Sequence, residues 1–383
     1  MSPHDVAALS LDELRTHRSE KWREFPLDVL PLPVAEMDFP VATPIIELLQ
    51  EMVSHSDLGY LGPIPEMGLS FAAFSMEQWG WVVDPNQVRI ATDVGVAVVE
   101  VLRIFTKPGD RVLLSSPVYH NFYNWIIETH LIKVDVPFVE SESGWTLDLD
   151  EIEMAYRSGI KVHLLCSPHN PLGRVYSREE LTRLALMANE HGVTIISDEI
   201  HGPLTYSESE FVPFLSLGSG AEAVGVSVTA ASKAWNIAGL KCAIIVTQNE
   251  RMAQKLKNLP AAVHYRASLL GAFASAKAFE AGSGWLNSAM RTLDSNRYFL
   301  QELLLKKIPE IKYRVPNCSY LAWLDFSALA LGENPAAILL ERGRVAFNAG
   351  HTFGPDTGQF VRLNFATSQS VLTEAVDRII KAL

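Results

Sequence analysis

The feature that most constrains this chain is an alternation through its middle. Seven short apolar runs, at residues 88–92, 111–115, 132–137, 162–166, 193–197, 223–229 and 242–247, recur with helical patterns between most of them. The runs are continuously apolar rather than alternating, which suits strands buried on both faces. Helical periodicity occupies 94–105, 119–129 and 178–191, and Ser177 lies three residues before Glu180, a capping-box pattern. Strand–helix alternation of this kind predicts an α/β fold: a mostly parallel seven-stranded sheet with helices on both sides. Past residue 283 the pattern changes to a long helix over 284–308 and an α+β segment over 312–383 that ends in a helix from about Ser370. The expected division is a large domain over 44–283 and a smaller α+β domain made from 1–43 and 284–383.

Residues 1–43 read as an irregular arm. A short helix is expected within 9–22, capped by Ser10. Pro26, Pro31, Pro33, Pro40 and Pro44 then surround Val34-Ala35-Glu36-Met37-Asp38-Phe39. Prolines at that density prevent regular structure but fix an extended path. Helices are expected over 44–54, with proline in the first turn, and over 68–79, after a turn at 59–63.

A chain of 383 residues with 48% hydrophobic and 20% charged residues can bury a large core in two domains. Its net charge of −12 and lack of a basic run argue against nucleic acid or an anionic membrane as partner. Cys166, Cys242 and Cys318 lie far apart, which argues against a disulfide framework and for a reducing compartment. Residues 1–24 lack the apolar centre of a signal peptide, and no stretch is long and apolar enough to span a bilayer. The chain reads as cytoplasmic.

Several strand ends carry residues that could do chemistry. Lys233 follows the run at 223–229 and precedes a Trp/Ile/Ala/Gly/Leu stretch. It is either a surface charge or a desolvated amine nucleophile, the form that makes Schiff bases. Asp198 ends the run at 193–197, where ligands bind in open α/β sheets. It is either a cap or loop ion pair, or a partner for a cationic ring nitrogen. Gly95 and Val96, in Thr92-Asp93-Val94-Gly95-Val96, open a helix whose free N–H groups could hold a phosphate, and Ser232 and Lys241 could add a hydroxyl and a cation. Asn170, between Pro168 and Pro171, could bond a ring hydroxyl and a substrate carboxylate. Tyr119 could stack on a planar ring or simply be core. Arg362, in the apolar run Phe360-Val361-Arg362-Leu363-Asn364-Phe365, could grip a carboxylate bidentately or form a structural ion pair. Glu199 reads as structural. No histidine or cysteine spacing supports a metal.

In this order the motifs resemble the fold-type I pyridoxal-phosphate enzymes of the class I/II aminotransferase superfamily, which are aspartate-aminotransferase-like in fold. Asp198 precedes Lys233 by 35 residues, close to that family's habit. Ala35-Glu36-Met37-Asp38-Phe39, Asp198-Glu199-Ile200-His201 and Ser19-Glu20-Lys21-Trp22 resemble more narrowly the MalY/PatB-type cystathionine β-lyases, or C–S lyases. The resemblance implies that pyridoxal 5′-phosphate is bound, with Lys233 as its Schiff-base residue and proton carrier. Asp198 would pair with the pyridine nitrogen, Tyr119 stack on the ring and Asn170 bond its hydroxyl. Gly95, Val96 and Ser232 would hold the phosphate. Arg362 would clamp the α-carboxylate of an amino-acid substrate, with Ala35 nearby. Tyr60 would reach the phosphate of the neighbouring subunit, which implies a homodimer. The implied reaction is β-elimination of L-cystathionine or related S-substituted cysteines to a thiol, pyruvate and ammonia. Transamination is the alternative, because both routes share a carbanion. Two positions depart from the superfamily pattern: Lys241 stands where many members have arginine, and His201 where most have tyrosine.

Overall fold

The computed structural model describes residues 6–142 and 144–383. The first five residues of the arm lie outside this description. The apolar runs form one seven-stranded sheet: β1 Val88–Ala91, β2 Arg111–Leu114, β3 Ile132–Asp135, β4 Ile160–Cys166, β5 Thr194–Asp198, β6 Gly225–Thr229 and β7 Ala243–Val246. Their order is β1-β7-β6-β5-β4-β2-β3. Neighbours pair in parallel except at β7, which is antiparallel to both β1 and β6. The expectation of burial on both faces holds for β4 to β7. It fails at β3, an edge strand whose Ile132 and Lys133 are exposed.

Five helices matter for the architecture of this part: α1 Thr43–Ser54, α2 Pro65–Trp79, α3 Val94–Phe105, α4 Asn121–Glu128 and α5 Arg178–His191. The proline of α2 sits in its first turn, where its missing N–H costs nothing, so that helix begins three residues earlier than the sequence pattern indicated. Helix α4 begins two residues later than expected, leaving Tyr119 in the turn before it. The Ser177–Glu180 capping box at α5 is present in both directions. Two helices in series, α6 Leu269–Ala281 and α7 Ser283–Lys307, follow the sheet. Helix α6 was missed in the sequence because alanine and other small residues give it no polar face, and it packs against α1 and α2.

A second, antiparallel sheet is built from β8 Lys312–Tyr313, β9 Leu321–Asp325, β10 Asn348–Ala349 and β11 Phe360–Asn364, in the order β8-β9-β11-β10. The terminal helix α8, Gln369–Ala382, covers it with Val371, Leu372, Ala375, Val376 and Ile379 buried. The arm joins this sheet region: Leu30–Pro31 pairs in parallel with Val345–Ala346. The single helix expected within 9–22 is instead two one-turn helices, Leu11–Leu14 and Glu20–Arg23. Ser10 does cap the first, accepting from the Glu13 N–H. Backbone then runs irregularly past the cleft between the two sheets.

Candidate active site

Three parallel strands deliver their C-terminal ends to one cleft of about 440 Å³, within the usual size range of small-molecule sites. β4 leads to Asn170, β5 ends in Asp198, and β6 leads to Ser232 and Lys233. This convergence follows from parallel pairing, which points every carboxyl end the same way. Gly95, Tyr119 and His201 line the same cleft, and the second sheet contributes Arg362 from β11.

Lys233 is half-buried, and its Nζ donates to the Ala35 carbonyl at 2.9 Å. Burial, aided by the Arg362 charge, brings its ammonium down to about 8. Asp198 is buried at the C-terminal end of the sheet's central strand, with Oδ1 accepting from the Ile200 N–H at 3.2 Å. Burial pushes its carboxyl up to about 7, against the opposing pull of that N–H and of Lys233. A buried carboxylate with so little compensation is placed to receive a cation. His201 is buried, held neutral by desolvation at about 3, and its Nδ1 has no partner among the described residues.

Arg362 is 3% exposed. Its Nη1 donates to Asn170 Oδ1 at 3.0 Å, and its Nη2 donates to Asn348 Oδ1 at 2.6 Å and the Pro33 carbonyl at 3.1 Å. Burial lowers it to about 10, so it remains a cation at neutral pH. No carboxylate pairs with it in these contacts, and its Nε has no partner among the described residues. A structural ion pair, the competing reading of this arginine, is therefore not what these contacts provide. Tyr119 donates its backbone N–H to the Asn170 carbonyl at 3.0 Å, and its hydroxyl accepts from Asn121 Nδ2 at 2.7 Å. Desolvation raises its phenol, which stays neutral.

At the head of α3, Asp93 is the cap. Its Oδ1 accepts from the Val96 N–H at 2.9 Å and its Oδ2 pairs with Lys241 at 3.2 Å. The N–H of Val96 and the ammonium of Lys241 are thus both engaged by one carboxylate, and Val96 does not line the cleft. Gly95 faces Trp125: a Cβ there would lie 3.1 Å from the indole nitrogen. Tyr60 lies outside the cleft and is 94% exposed. Glu199 accepts from Ser197, Ser227 and the Phe214 N–H, a fully internal structural role. Cys166, Cys242 and Cys318 are buried and unpaired. Among the described residues no group of His, Cys, Asp or Glu could hold a metal ion.

The arm wall of the cleft depends on residues that carried no role in the sequence reading. Asn364 Nδ2 donates to the carbonyls of Val34 and Glu36, Asn236 exchanges hydrogen bonds with Met37, and the Tyr320 hydroxyl donates to the Ala35 carbonyl. Asn364 was within reach: it is two residues beyond Arg362 on a strand, and so shares its face. Asn348 sits on β10 and Tyr320 just before β9, and neither had a local signal. Lys21 and Asp38, both fully buried, form a 2.7 Å ion pair behind the arm. Removing one partner of such a pair costs about 3–5 kcal/mol because the other stays buried and charged. Lys21→Ala is therefore expected to lower stability in denaturant titration by about that much and to speed proteolysis within residues 33–39. Stability within about 0.5 kcal/mol of the parent, at the level of an ordinary surface change, would contradict this.

The family model for aminotransferase class I and II matches residues 30–379. The chain belongs to that family. Cystathionine β-lyase from Corynebacterium glutamicum is 35% identical over 97% of this chain and 99% of its own length. Cystathionine β-lyase PatB from Bacillus subtilis is 32% identical over 93% of each. The crystal structure of cystalysin from Treponema denticola, which contains a pyridoxal 5′-phosphate cofactor, is similar at a TM-score of 0.92 and 28% identity, covering 100% of this chain and 99% of that one. The aminotransferase-family fold thus accounts for the whole described chain, including the arm that closes the cleft.

Proposed function

We propose that this chain is a pyridoxal-phosphate-dependent carbon–sulfur β-lyase that cleaves L-cystathionine or related S-substituted cysteines. The observation that carries the reading is the convergence of Lys233, Asp198 and Arg362 in one cleft: an amine, a buried carboxylate and a cation without a carboxylate partner. These fit the cofactor and an amino acid together. Asp198 suits a cationic ring nitrogen, the N-terminus of α3 with Gly95 and Ser232 suits a phosphate, and Arg362 suits an α-carboxylate. When bound, pyridoxal phosphate supplies a carbonyl for the amino group and a ring that accepts the electron pair freed at Cα.

The chain's own residues do the rest. Arg362 and Asn170 orient the carboxylate, so that the Cα–H bond is presented on one side of the cleft. Lys233 Nζ, with its ammonium lowered to about 8, takes the Cα proton as base near neutral pH. The carbonyl of Ala35 holds that nitrogen in place. Tyr119 closes one wall of the cleft and Asn121 fixes its hydroxyl. The β-sulfur then departs with the C–S electron pair and takes a proton, and the remaining three-carbon fragment is hydrolysed to pyruvate and ammonia.

The reading assigns residues 44–283 to the cofactor-holding domain and 1–43 with 284–383 to the smaller one. It also assigns exposed Tyr60 to a partner's phosphate across a homodimer, for which light scattering should give twice the 42.4 kDa chain mass. No helix among the described residues is long and apolar enough to cross a membrane. Three buried free thiols favour the reducing cytoplasm.

The test is incubation of cofactor-loaded protein with L-cystathionine, assaying thiol and pyruvate. One thiol per pyruvate, without added 2-oxo acid, is expected. Dependence on a 2-oxo acid with no thiol release would replace the lyase by a transaminase.

A further inference from the structure

A second recess, of about 640 Å³, opens beside the cleft, and His120 and Asn348 line both. Asn348 accepts a hydrogen bond from Arg362 at 2.6 Å, so the recess begins one residue from the guanidinium assigned to the α-carboxylate. We propose that this recess receives the substituent on the substrate's sulfur and favours substituents that end in a carboxylate. The inference rests on the C–S lyase reading of the cleft.

The chemistry of the walls supports it. Tyr123 and Pro355 supply apolar surface for methylene groups, while Lys133 and His351 supply polar ends from two different parts of the fold. Lys133 comes from edge strand β3, and His351 from the turn after β10. Among the described residues no Asp or Glu lines the recess. Several other donors are already committed: the Tyr123 hydroxyl to the Phe353 carbonyl at 2.9 Å, the Thr352 hydroxyl to the Ala349 carbonyl at 2.7 Å, and the Asn124 amide to Asn121 at 3.0 Å. Lys133 is different. Its ammonium lies over the Tyr123 ring at 5.1 Å, and Asp135 stands 4.0 Å away, at the limit of an ion pair. Its side chain is 45% exposed, available to an incoming anion. The arm side of the cleft carries Glu20 and Glu36, and neither lines the recess. A carboxylate on the leaving group is repelled there and attracted toward Lys133.

The experiment uses the cofactor-loaded enzyme with S-(2-carboxyethyl)-L-cysteine and uncharged S-propyl-L-cysteine. Thiol release gives kcat/KM, and the change in cofactor absorbance gives Kd. Wild type is expected to favour the carboxylated substrate by about tenfold, the equivalent of one charge-assisted hydrogen bond. Lys133→Gln should erase that preference and leave S-propyl-L-cysteine unchanged, and Lys133→Arg should restore it. Equal treatment of the two substrates by wild type, or equal loss on both in Lys133→Gln, overturns the proposal. If neither substrate releases thiol, the lyase reading fails. The binding titration then decides the recess alone: a Kd preference lost in Lys133→Gln sustains it, and no preference overturns it.

Discussion

Lys233→Ala is expected to lower thiol release by roughly 10⁴-fold, the upper end of what a positioned acid–base group contributes. The loss should fall on kcat, because the proposed grip of Arg362 and Asn170 on the substrate carboxylate is left intact. Two further readouts separate this from a folding defect. The visible absorption of the bound cofactor should change, and borohydride reduction should no longer attach cofactor to the peptide that contains residue 233. Stability should not suffer. The folded-state value of Lys233, about 8 against an ordinary 10.5, means that folding disfavours its charged form. Its contribution to stability therefore rises as pH climbs from about 8 to 10.5 and is unfavourable below. Deleting the amine relieves that cost at neutral pH. A variant that kept both its colour and its activity would remove Lys233 from the centre of the mechanism.

Asp198→Asn is expected to trade activity for stability. Loss of the carboxylate proposed to pair with a cationic ring nitrogen should reduce turnover by on the order of 100-fold or more. In protein stripped of cofactor the sign reverses. The Asp198 carboxyl titrates at about 7 when folded and near 3.8 when unfolded. Between those values the folded state binds more protons, so the contribution of Asp198 to stability falls as pH rises through that window. The full span corresponds to at most roughly 4 kcal/mol. Asparagine does not ionise, so the stripped variant should match wild type near pH 4 and exceed it at pH 8. His163, His169 and His201 are depressed to about 3 and give an opposite slope below pH 6.5, but they are common to both proteins and cancel in the difference. Adding cofactor supplies wild type with the missing cation and should close the gap. A wild-type-minus-variant difference that is flat from pH 4 to 8 would contradict the assignment of Asp198 as an uncompensated buried acid.

How much of the site could be read in advance depended on whether a residue's role followed from its place in the chain. Asp198, Asn170 and Lys233 each stand at or just beyond the end of an apolar run, and parallel strands collect such ends on one side of a sheet. Arg362 stood out because an arginine inside an apolar strand needs a partner. Two of its partners, Asn348 and the Pro33 carbonyl, come from segments 14 and 329 residues away, and nothing local announces them. The same holds for the arm. Its A-E-M-D-F stretch was conspicuous, but the reason it can form a wall lies in Asn364, Asn236 and the buried Lys21–Asp38 pair. The head of α3 is a further case. Its glycine suggested a phosphate cup, yet the structure places Asp93 on the Val96 N–H and on Lys241. A phosphate reaching those two groups must displace a carboxylate.

By itself the sequence determined the α/β class, the seven strands of the main sheet and most of the side chains that the structure gathers in one cleft. These follow from short-range periodicity and from the few residue types that carry each kind of chemistry. Tertiary structure alone decided that strand β7 runs antiparallel, that edge strand β3 leaves Lys133 exposed beside a recess, and that the arm's backbone carbonyls meet Lys233 and Arg362. Those outcomes depend on which distant segments satisfy each buried donor and acceptor. That condition is imposed by packing of the whole chain and is invisible in any one stretch of it.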